Sequence, residues 1–263
     1  MPVDLTMLVK DLEAETAELR RVLSPLDVSQ WETPTPAPGW RVQEQIAHLA
    51  YFDEAAATAA TDADRFQREL LEALEDPDGL TERISRRSRS MAPTEVLAWF
   101  DTARTEMIET FLTLDPSTRV PWYGPPMSVG SSLTARIMET WAHGQDVFDA
   151  LGTSHPPTGA LRHVAHIGVQ TFANSFVTRG LEVPDVRVFV DLAGPDGSVW
   201  TWGDTTSDER ISGHAVDFAL VVTQRRHVDD TDLRTQGPVA AEWMSIAQAF
   251  AGPPGEGRPP TNP

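Results

Sequence analysis

The first 180 residues carry apolar side chains at the three- and four-residue intervals that are typical of amphipathic helices. The first such stretch lies within residues 4–26. Its helix stops at Pro25, because proline cannot continue a helix. A proline-rich loop at residues 33–40 then leads into a second helix, which we predict from Val42 to Thr61. The apolar positions of the first helix are Leu5, Leu8, Leu12, Leu19, Val22 and Leu23.

The second helix is apolar on two sides, which is typical of a helix buried inside a bundle. One side includes Val42, Ile46 and Leu49. The other holds His48 together with Gln45, Tyr51, Phe52 and Ala55.

A stretch of short helices and three longer helices follow. A charged stretch from Asp62 to Met91 predicts one or two short helices before a long helix over residues 93–114. After a second proline-rich loop, a fourth long helix is predicted from Val129 to Leu151, with Gly152 at its C-cap. A fifth helix is predicted over residues 159–181, ending near Gly180.

After residue 181 the period changes from helical to alternating. Residues 185–194 alternate like a strand, residues 195–197 form a turn, and residues 198–203 supply its hairpin partner. Residues 210–213 predict a third short strand, and residues 214–226 and 239–252 read as helices. The pattern predicts a helical bundle over residues 1–181, a small α+β domain over 182–252 and a flexible tail over 253–263.

Charge and composition exclude several classes of function. The chain has 39 acidic and 21 basic residues, a formal net charge of −18. A nucleic-acid-binding protein needs a basic patch, and an anionic membrane surface also attracts positive charge, so both partners are disfavoured. The first fifteen residues lack the basic and apolar stretches of a signal peptide, and no apolar run approaches the roughly 18 residues of a membrane span. We therefore expect a cytoplasmic protein.

Cysteine is absent from the chain. Its absence excludes disulfides, cysteine-based zinc sites, iron–sulfur clusters and a cysteine nucleophile. Any thiol chemistry must therefore use the thiol of a small molecule.

Three residues form a candidate metal site. Glu139 and His143 are four residues apart on the fourth long helix, so both side chains project from one face. His48 lies on the second helix and is the natural third ligand. Two imidazoles and one carboxylate suit zinc or a similar divalent metal, and three protein ligands leave a coordination position open, as in catalytic sites.

Simpler interpretations stand beside this one. Glu139 and His143 are also compatible with a solvated pair on a helix surface, and His48 with a buried histidine bonded to a neighbour. Asp146, one turn beyond His143, is either a residue that orients a ligand or a surface acid. The other histidines are weaker candidates: His155 in a loop, His163 and His166 on the fifth helix, His214 at a helix start and His227 near a helix end.

The sequence resembles the DinB-like metal-binding superfamily, in the branch of mycothiol-dependent maleylpyruvate isomerase and related actinobacterial S-transferases. The motif GWRVQEQIAHLAYFD at residues 39–53 is similar to the tryptophan-led helix that supplies the first histidine, and RIMETWAHGQDV at 136–147 to the Glu-x-x-x-His helix. Residues 222–255 resemble the C-terminal segment of one actinobacterial two-domain subgroup. The resemblance covers nearly the whole chain and implies an N-terminal four-helix bundle.

The resemblance also implies a site and an activity. His48, Glu139 and His143 would be the zinc ligands, with mycothiol as the thiol cosubstrate. Arginines of the family hold an anionic substrate, and Arg225 and Arg226 are the candidates here; both are equally compatible with cations at a helix C-terminus. The implied enzyme activates the thiol for addition to an electrophilic small molecule or for its cis–trans isomerisation.

Two other classes stay open on the residues alone. The same ligands would serve a thiol-independent metal-dependent hydrolase, lyase or isomerase, since a metal ion also activates water. A non-catalytic metal-binding protein would need only the ligand set. Nickel, iron or manganese could replace zinc, and a chain with two such domains is expected to be self-sufficient as a monomer.

Overall fold

The computed structural model describes residues 4–75 and 77–261. By their contacts, the described residues form two compact units that divide between Pro156 and Pro157. The first unit is helical and the second combines helices with a small mixed sheet, which confirms the predicted fold class. Among the described residues, no helix combines the length and the apolar character needed to cross a membrane.

Four long helices build the first unit: α1 (Leu5–Leu23), α3 (Val42–Thr61), α6 (Pro93–Leu112) and α7 (Val129–Ala150). Helix α3 packs against α6 and α7, and α1 packs against α7 and α6, so the predicted four-helix bundle is confirmed. The remaining elements are α2 (Val28–Trp31), α4 (Ala63–Glu75), α5 (Pro77–Arg89), β1 (Arg119–Val120) and β2 (Met127–Ser128). The two helices α4 and α5 occupy the stretch for which one or two short helices were predicted.

Capping residues in the sequence determine both ends of helix α7. The Ser128 hydroxyl accepts a hydrogen bond from the Ser131 amide and caps the first turn, directly after the short β1–β2 pair. At the other end Gly152 has a positive φ of 64°, and the Thr153 amide donates to the carbonyl of Phe148. These caps fix the register of the helix that carries two of the predicted metal ligands.

The second unit contains α8 (Ala160–Gln170), α9 (Phe172–Val177), α10 (Ala215–Val222), α11 (Pro238–Ile246) and the strands β3 (Phe189–Ala193), β4 (Val199–Trp202), β5 (Arg210–His214) and β6 (Arg234–Gln236). The sheet order is β4-β3-β5-β6. The pair β3–β4 is the predicted antiparallel hairpin, β5 joins β3 in parallel, and β6 is antiparallel to β5. Strand β6 was not predicted from the sequence, and α8 and α9 were predicted as one helix.

The division between the units lies earlier than the boundary predicted near residue 182. Helix α8 packs against α10, and α9 packs against α11. Helices α8 and α9 therefore belong to the unit that contains the sheet. The segment predicted as a flexible tail is also tied to this unit. The Gly255 carbonyl accepts from Arg179, and the Thr261 amide donates to Asp230.

The α8–α10 contact gives a direct test of this division. A Cβ on Gly168 would lie 2.8 Å from Cγ2 of Val222 and 2.9 Å from Cε1 of Phe218, and both side chains are fully buried. We expect Gly168→Ala to lower the free energy of unfolding by about 1–3 kcal/mol, the usual cost of overpacking a core. Chemical denaturation followed by circular dichroism measures this change.

Gly144→Ala is the matched control, because it places the same methyl on α7 at an ordinary contact distance of 3.6 Å from His155. Alanine favours a helix more than glycine does, so this variant should be as stable as the wild type or slightly more stable. A Gly168→Ala protein with wild-type stability would show that α8 does not pack closely against α10.

Candidate metal centre

Helices α3 and α7 bring His48, Glu139 and His143 together. One ligand atom from each residue lies within 4.8 Å of the other two. Oε2 of Glu139 is 3.1 Å from Nε2 of His143 and 3.7 Å from Nε2 of His48. All three side chains are mostly buried, with 12–20% of each exposed. The close packing of α3 on α7 thus produces the convergence that the sequence predicted.

Gln45 fixes the tautomer of His143. Its Oε1 lies 2.5 Å from Nδ1 of His143, and its amide nitrogen donates to the Thr35 hydroxyl at 2.8 Å. Because the amide is held from the nitrogen side, Oε1 must face the imidazole and accept a hydrogen from Nδ1. The lone pair of Nε2 then points toward Glu139, as a metal ligand requires. Gln45 is on the His48 side of α3, but no role for it was predicted from the sequence.

The imidazole of His48 is held by packing. Within the described part of the chain its Nδ1 is buried and has no hydrogen-bond partner. The ring lies 4.5 Å from that of Phe52 and 4.4 Å from that of His143, measured between centroids. Burial, followed by the charge of His143, lowers the pKa of His48 to about 4. The ring is therefore neutral at pH 7, the protonation state that binds metals.

Glu139 is ionised although it is buried. Burial alone would raise its pKa, but the neighbouring His143 and His48 and the charge of Arg136 hold the pKa of this carboxyl well below its usual range. An ionised carboxylate therefore faces two imidazole nitrogens. A divalent cation between them would satisfy all three groups at once, and this observation supports the fit of the ligand set to a metal.

Aromatic rings surround the imidazoles. The ring of Trp40 stacks on His143 at 5.8 Å with an interplanar angle of 13° and lies 5.1 Å from His48. Phe52 covers His48 on its own helix and continues into a larger aromatic cluster. That cluster consists of Phe66, Trp122, Tyr123 and Tyr51. These rings limit the access of water and provide flat apolar surface beside the triad.

A buried ion cluster lies on the same helices. Asp53, fully buried on α3, accepts from Nε of Arg104 at 2.7 Å and from Nε of Arg136 at 3.0 Å. Arg104 also donates to the hydroxyls of Thr16 and Thr140 at 2.6 and 3.0 Å. One network thereby joins α1, α3, α6 and α7. None of the three charged residues was a candidate from the sequence.

Arg225 and Arg226 lie in the second unit, just after α10. Nη1 of Arg225 donates to the Thr223 carbonyl and Nη1 of Arg226 to the Arg225 carbonyl, both at 2.7 Å. This is the arrangement expected of cations at a helix C-terminus, the alternative given above. Their role in binding an anionic substrate stays a prediction.

The remaining candidates have other surroundings. Asp146 is buried, so it is not a surface acid. His155 is bonded to the buried carboxylate of Glu15 at 2.7 Å. His166 accepts from the Trp202 indole at 3.3 Å. His214 directly precedes α10, as its predicted place at a helix start requires.

The fold and the triad define a helical-bundle domain with a candidate divalent-cation site, followed by a small α+β unit. Residues 12–148 match the model of the mycothiol maleylpyruvate isomerase N-terminal domain, a segment of just over half the chain that contains the whole triad. The chain belongs to the mycothiol maleylpyruvate isomerase family.

Relatives and solved structures agree with this assignment. An uncharacterized protein of Mycobacterium tuberculosis, found in two strains, is 42% identical over 250 residues, which are 95% of this chain and 97% of the relative. The crystal structure of the mycothiol-dependent maleylpyruvate isomerase has a TM-score of 0.59 at 17% identity, with 84% of this chain and 90% of that chain covered. A histidine-to-alanine variant of that enzyme gives 0.61 at 17% identity, with 89% and 95% covered. At this identity the structures show the fold alone.

The contact between Gln45 and His143 yields a prediction about metal affinity. We expect Gln45→Leu to weaken zinc binding by about 10–100-fold, the usual effect of losing a group that orients a ligating histidine. Competition with a chromophoric chelator measures the affinity. Gln43→Leu is the control, because Gln43 is a buried residue of the same helix whose amide donates to the Ser88 and Met91 carbonyls, outside the triad. Equal affinities of the Gln45→Leu protein and the wild type would refute the proposed orientation.

The pKa of His48 predicts how pH affects the metal-free protein. Between pH 6.5 and about 4 the unfolded chain binds a proton at His48 that the folded chain does not bind. The free energy of unfolding should therefore fall as the pH falls through this window. We expect His48→Gln to flatten that dependence in urea denaturation between pH 7 and 5 with a chelator present. His214→Gln, at an exposed position, should keep the wild-type slope; an equally steep slope for His48→Gln would contradict the burial of a neutral imidazole.

Proposed function

We propose that this protein is a zinc-dependent enzyme that uses mycothiol to modify an electrophilic small molecule, by cis–trans isomerisation or by thiol addition. The observation that carries the proposal is the convergence of His48, Glu139 and His143 within 4.8 Å in a family named for a mycothiol isomerase. The solved relatives, titled as mycothiol-dependent maleylpyruvate isomerase, support the choice of thiol.

The residues around the site have different roles in this proposal. His48, Glu139 and His143 would hold the metal ion, and Gln45 keeps His143 in the tautomer whose Nε2 can bind it. Trp40 and Phe52 pack on the two imidazoles and exclude water from one side of the site. When bound, a zinc ion with an open coordination position lowers the pKa of a thiol, so that thiolate is present near neutral pH.

The chemistry follows from the nucleophile. A thiolate that adds to one carbon of an activated cis alkene converts the double bond to a single bond, which can rotate. Elimination of the same thiolate restores the alkene as the trans isomer and regenerates the thiol, so no atom is gained or lost. In a transferase the adduct takes up a proton and is kept, or another group leaves. The absence of cysteine from the chain fits this use of an external thiol.

Arg225 and Arg226 are the proposed binding residues for the substrate. A guanidinium binds a carboxylate through two parallel hydrogen bonds, so these arginines suit an anionic electrophile. The hydrogen bonds that they donate to backbone carbonyls favour a structural role equally. A cytoplasmic location and a monomeric state also stay predictions.

Metal analysis and thiol titration test the proposal together. We expect purified wild-type protein to retain about one zinc per chain, and Glu139→Ala to retain much less, since it removes the only carboxylate of the triad. Glu106→Ala, which removes an exposed glutamate of α6, is the control and should keep its zinc. Isothermal titration with mycothiol in the presence of zinc should give binding for the wild type and Glu106→Ala, and none for His143→Ala.

Other outcomes would identify the alternatives. Zinc content unaffected by Glu139→Ala would disprove the site. Zinc binding without mycothiol binding would refute the thiol reaction. In that case turnover of an ester or amide panel without thiol would indicate a hydrolase, and no turnover would indicate a metal-binding protein.

A further inference from the structure

Arg136 has one guanidinium nitrogen with no partner. The residue is 3% exposed, and its Nε donates to Asp53 at 3.0 Å. Within the described residues, its Nη2 is buried and makes no hydrogen bond. A buried donor without an acceptor is costly, and such groups are rare in folded proteins. The fold therefore keeps this N–H group available at an energetic cost.

Arg104, in the same cluster, has a hydrogen-bond partner for each of its guanidinium nitrogens. Its Nε donates to Asp53, its Nη1 to Thr16 and its Nη2 to Thr140. Its neighbour Arg136 shares the single carboxylate of Asp53, so the three residues carry a net charge of +1. The unused donor belongs to Arg136, whose charge also acts on the Glu139 carboxylate.

Arg136 lies beside the metal ligands. It is three residues before Glu139 on α7, and thus on the same face of the helix. Its guanidinium carbon is 6.0 Å from the centroid of the Phe52 ring, which in turn lies 4.5 Å from the ring of His48. Phe52 is therefore a neighbour of both the buried cation and one of the metal ligands.

We propose that Nη2 of Arg136 donates a hydrogen bond to an anion bound at the His48–Glu139–His143 site. The inference rests on the metal site of the proposed function but not on the identity of the thiol. It makes Arg136 a binding residue for the anionic ligand, whether that ligand is a thiolate or a small inorganic anion. The ligand class is small anions, because the donor lies in a buried site.

Two lysine variants separate the effect of the hydrogen bond on anion affinity from the effect of the positive charge. Arg136→Lys keeps the positive charge near Asp53, but an ammonium that bonds to Asp53 cannot also occupy the position of Nη2. Because hydrogen bonds to charged groups are worth about 10–100-fold in affinity, we expect an anion to bind that much more weakly to this variant. Arg104→Lys is the matched control, because every nitrogen lost there is already bonded within the protein. It should lower stability and leave anion affinity close to that of the wild type.

Thiocyanate is a suitable probe, because it is a small anion that binds metal ions and needs no biological thiol. Each protein is loaded with cobalt(II), its metal content is measured, and thiocyanate is titrated while the visible absorption of cobalt is recorded. Weaker binding to Arg136→Lys alone, at full metal content, would support the proposal. Equal affinity for that variant and the wild type, or equal losses in both variants, would overturn it.

A crystal structure of wild-type zinc-loaded protein with thiocyanate gives a second test that does not depend on a variant that folds. The proposal requires hydrogen-bond distance between Nη2 and the anion; a bound anion far from Arg136 would overturn it. A protein that binds thiocyanate through Arg136 but not mycothiol would refute the proposed function and leave this inference standing. A wild type that takes up no metal would overturn both.

Discussion

Asp53 is the residue on which the bundle and its site both depend. Its carboxylate, fully buried on α3, accepts hydrogen bonds from Arg104 on α6 and Arg136 on α7, and Arg104 continues to Thr16 on α1. Removing one partner of a buried ion pair typically costs about 3–5 kcal/mol, because a charge is left uncompensated. The network therefore favours the helix arrangement in which all of its charges are paired. A different register of α3 against α7 would separate these charges.

The candidate site depends on the same packing of α3 against α7. His48 is five residues before Asp53 on α3, and Glu139 is three after Arg136 on α7, so the contact that pairs the charges also fixes the distance between the ligands. The local groups then prepare each ligand: Gln45 selects the tautomer of His143, and burial keeps His48 neutral. Two imidazoles facing an ionised carboxylate are an arrangement that a divalent cation completes.

The sequence predicted the parts of this protein that have a local signal. Helical periodicity located the bundle helices, and the four-residue spacing of Glu139 and His143 placed two ligands on one face of α7. The pairing of His48 with them followed from its place on a helix that is apolar on two sides, and the family resemblance strengthened it, because about ninety residues separate the two helices. The contact of Asp53 with Arg104 spans 51 residues and leaves no periodic signal in either helix. The three-residue strand β6 is too short to alternate, and only tertiary packing on α10 assigns α8 to the second unit.

The central claim is that His48, Glu139 and His143 bind a zinc ion that takes an external thiol as a further ligand. X-ray absorption at the zinc edge, recorded with and without mycothiol, tests it most directly. Without thiol we expect two imidazole nitrogens and a carboxylate oxygen at about 2.0–2.2 Å, and with thiol an added sulfur at about 2.3 Å. Because the chain contains no cysteine, a thiolate sulfur could come only from the added thiol. A zinc spectrum without two imidazoles, or one that mycothiol leaves unchanged, would contradict the account.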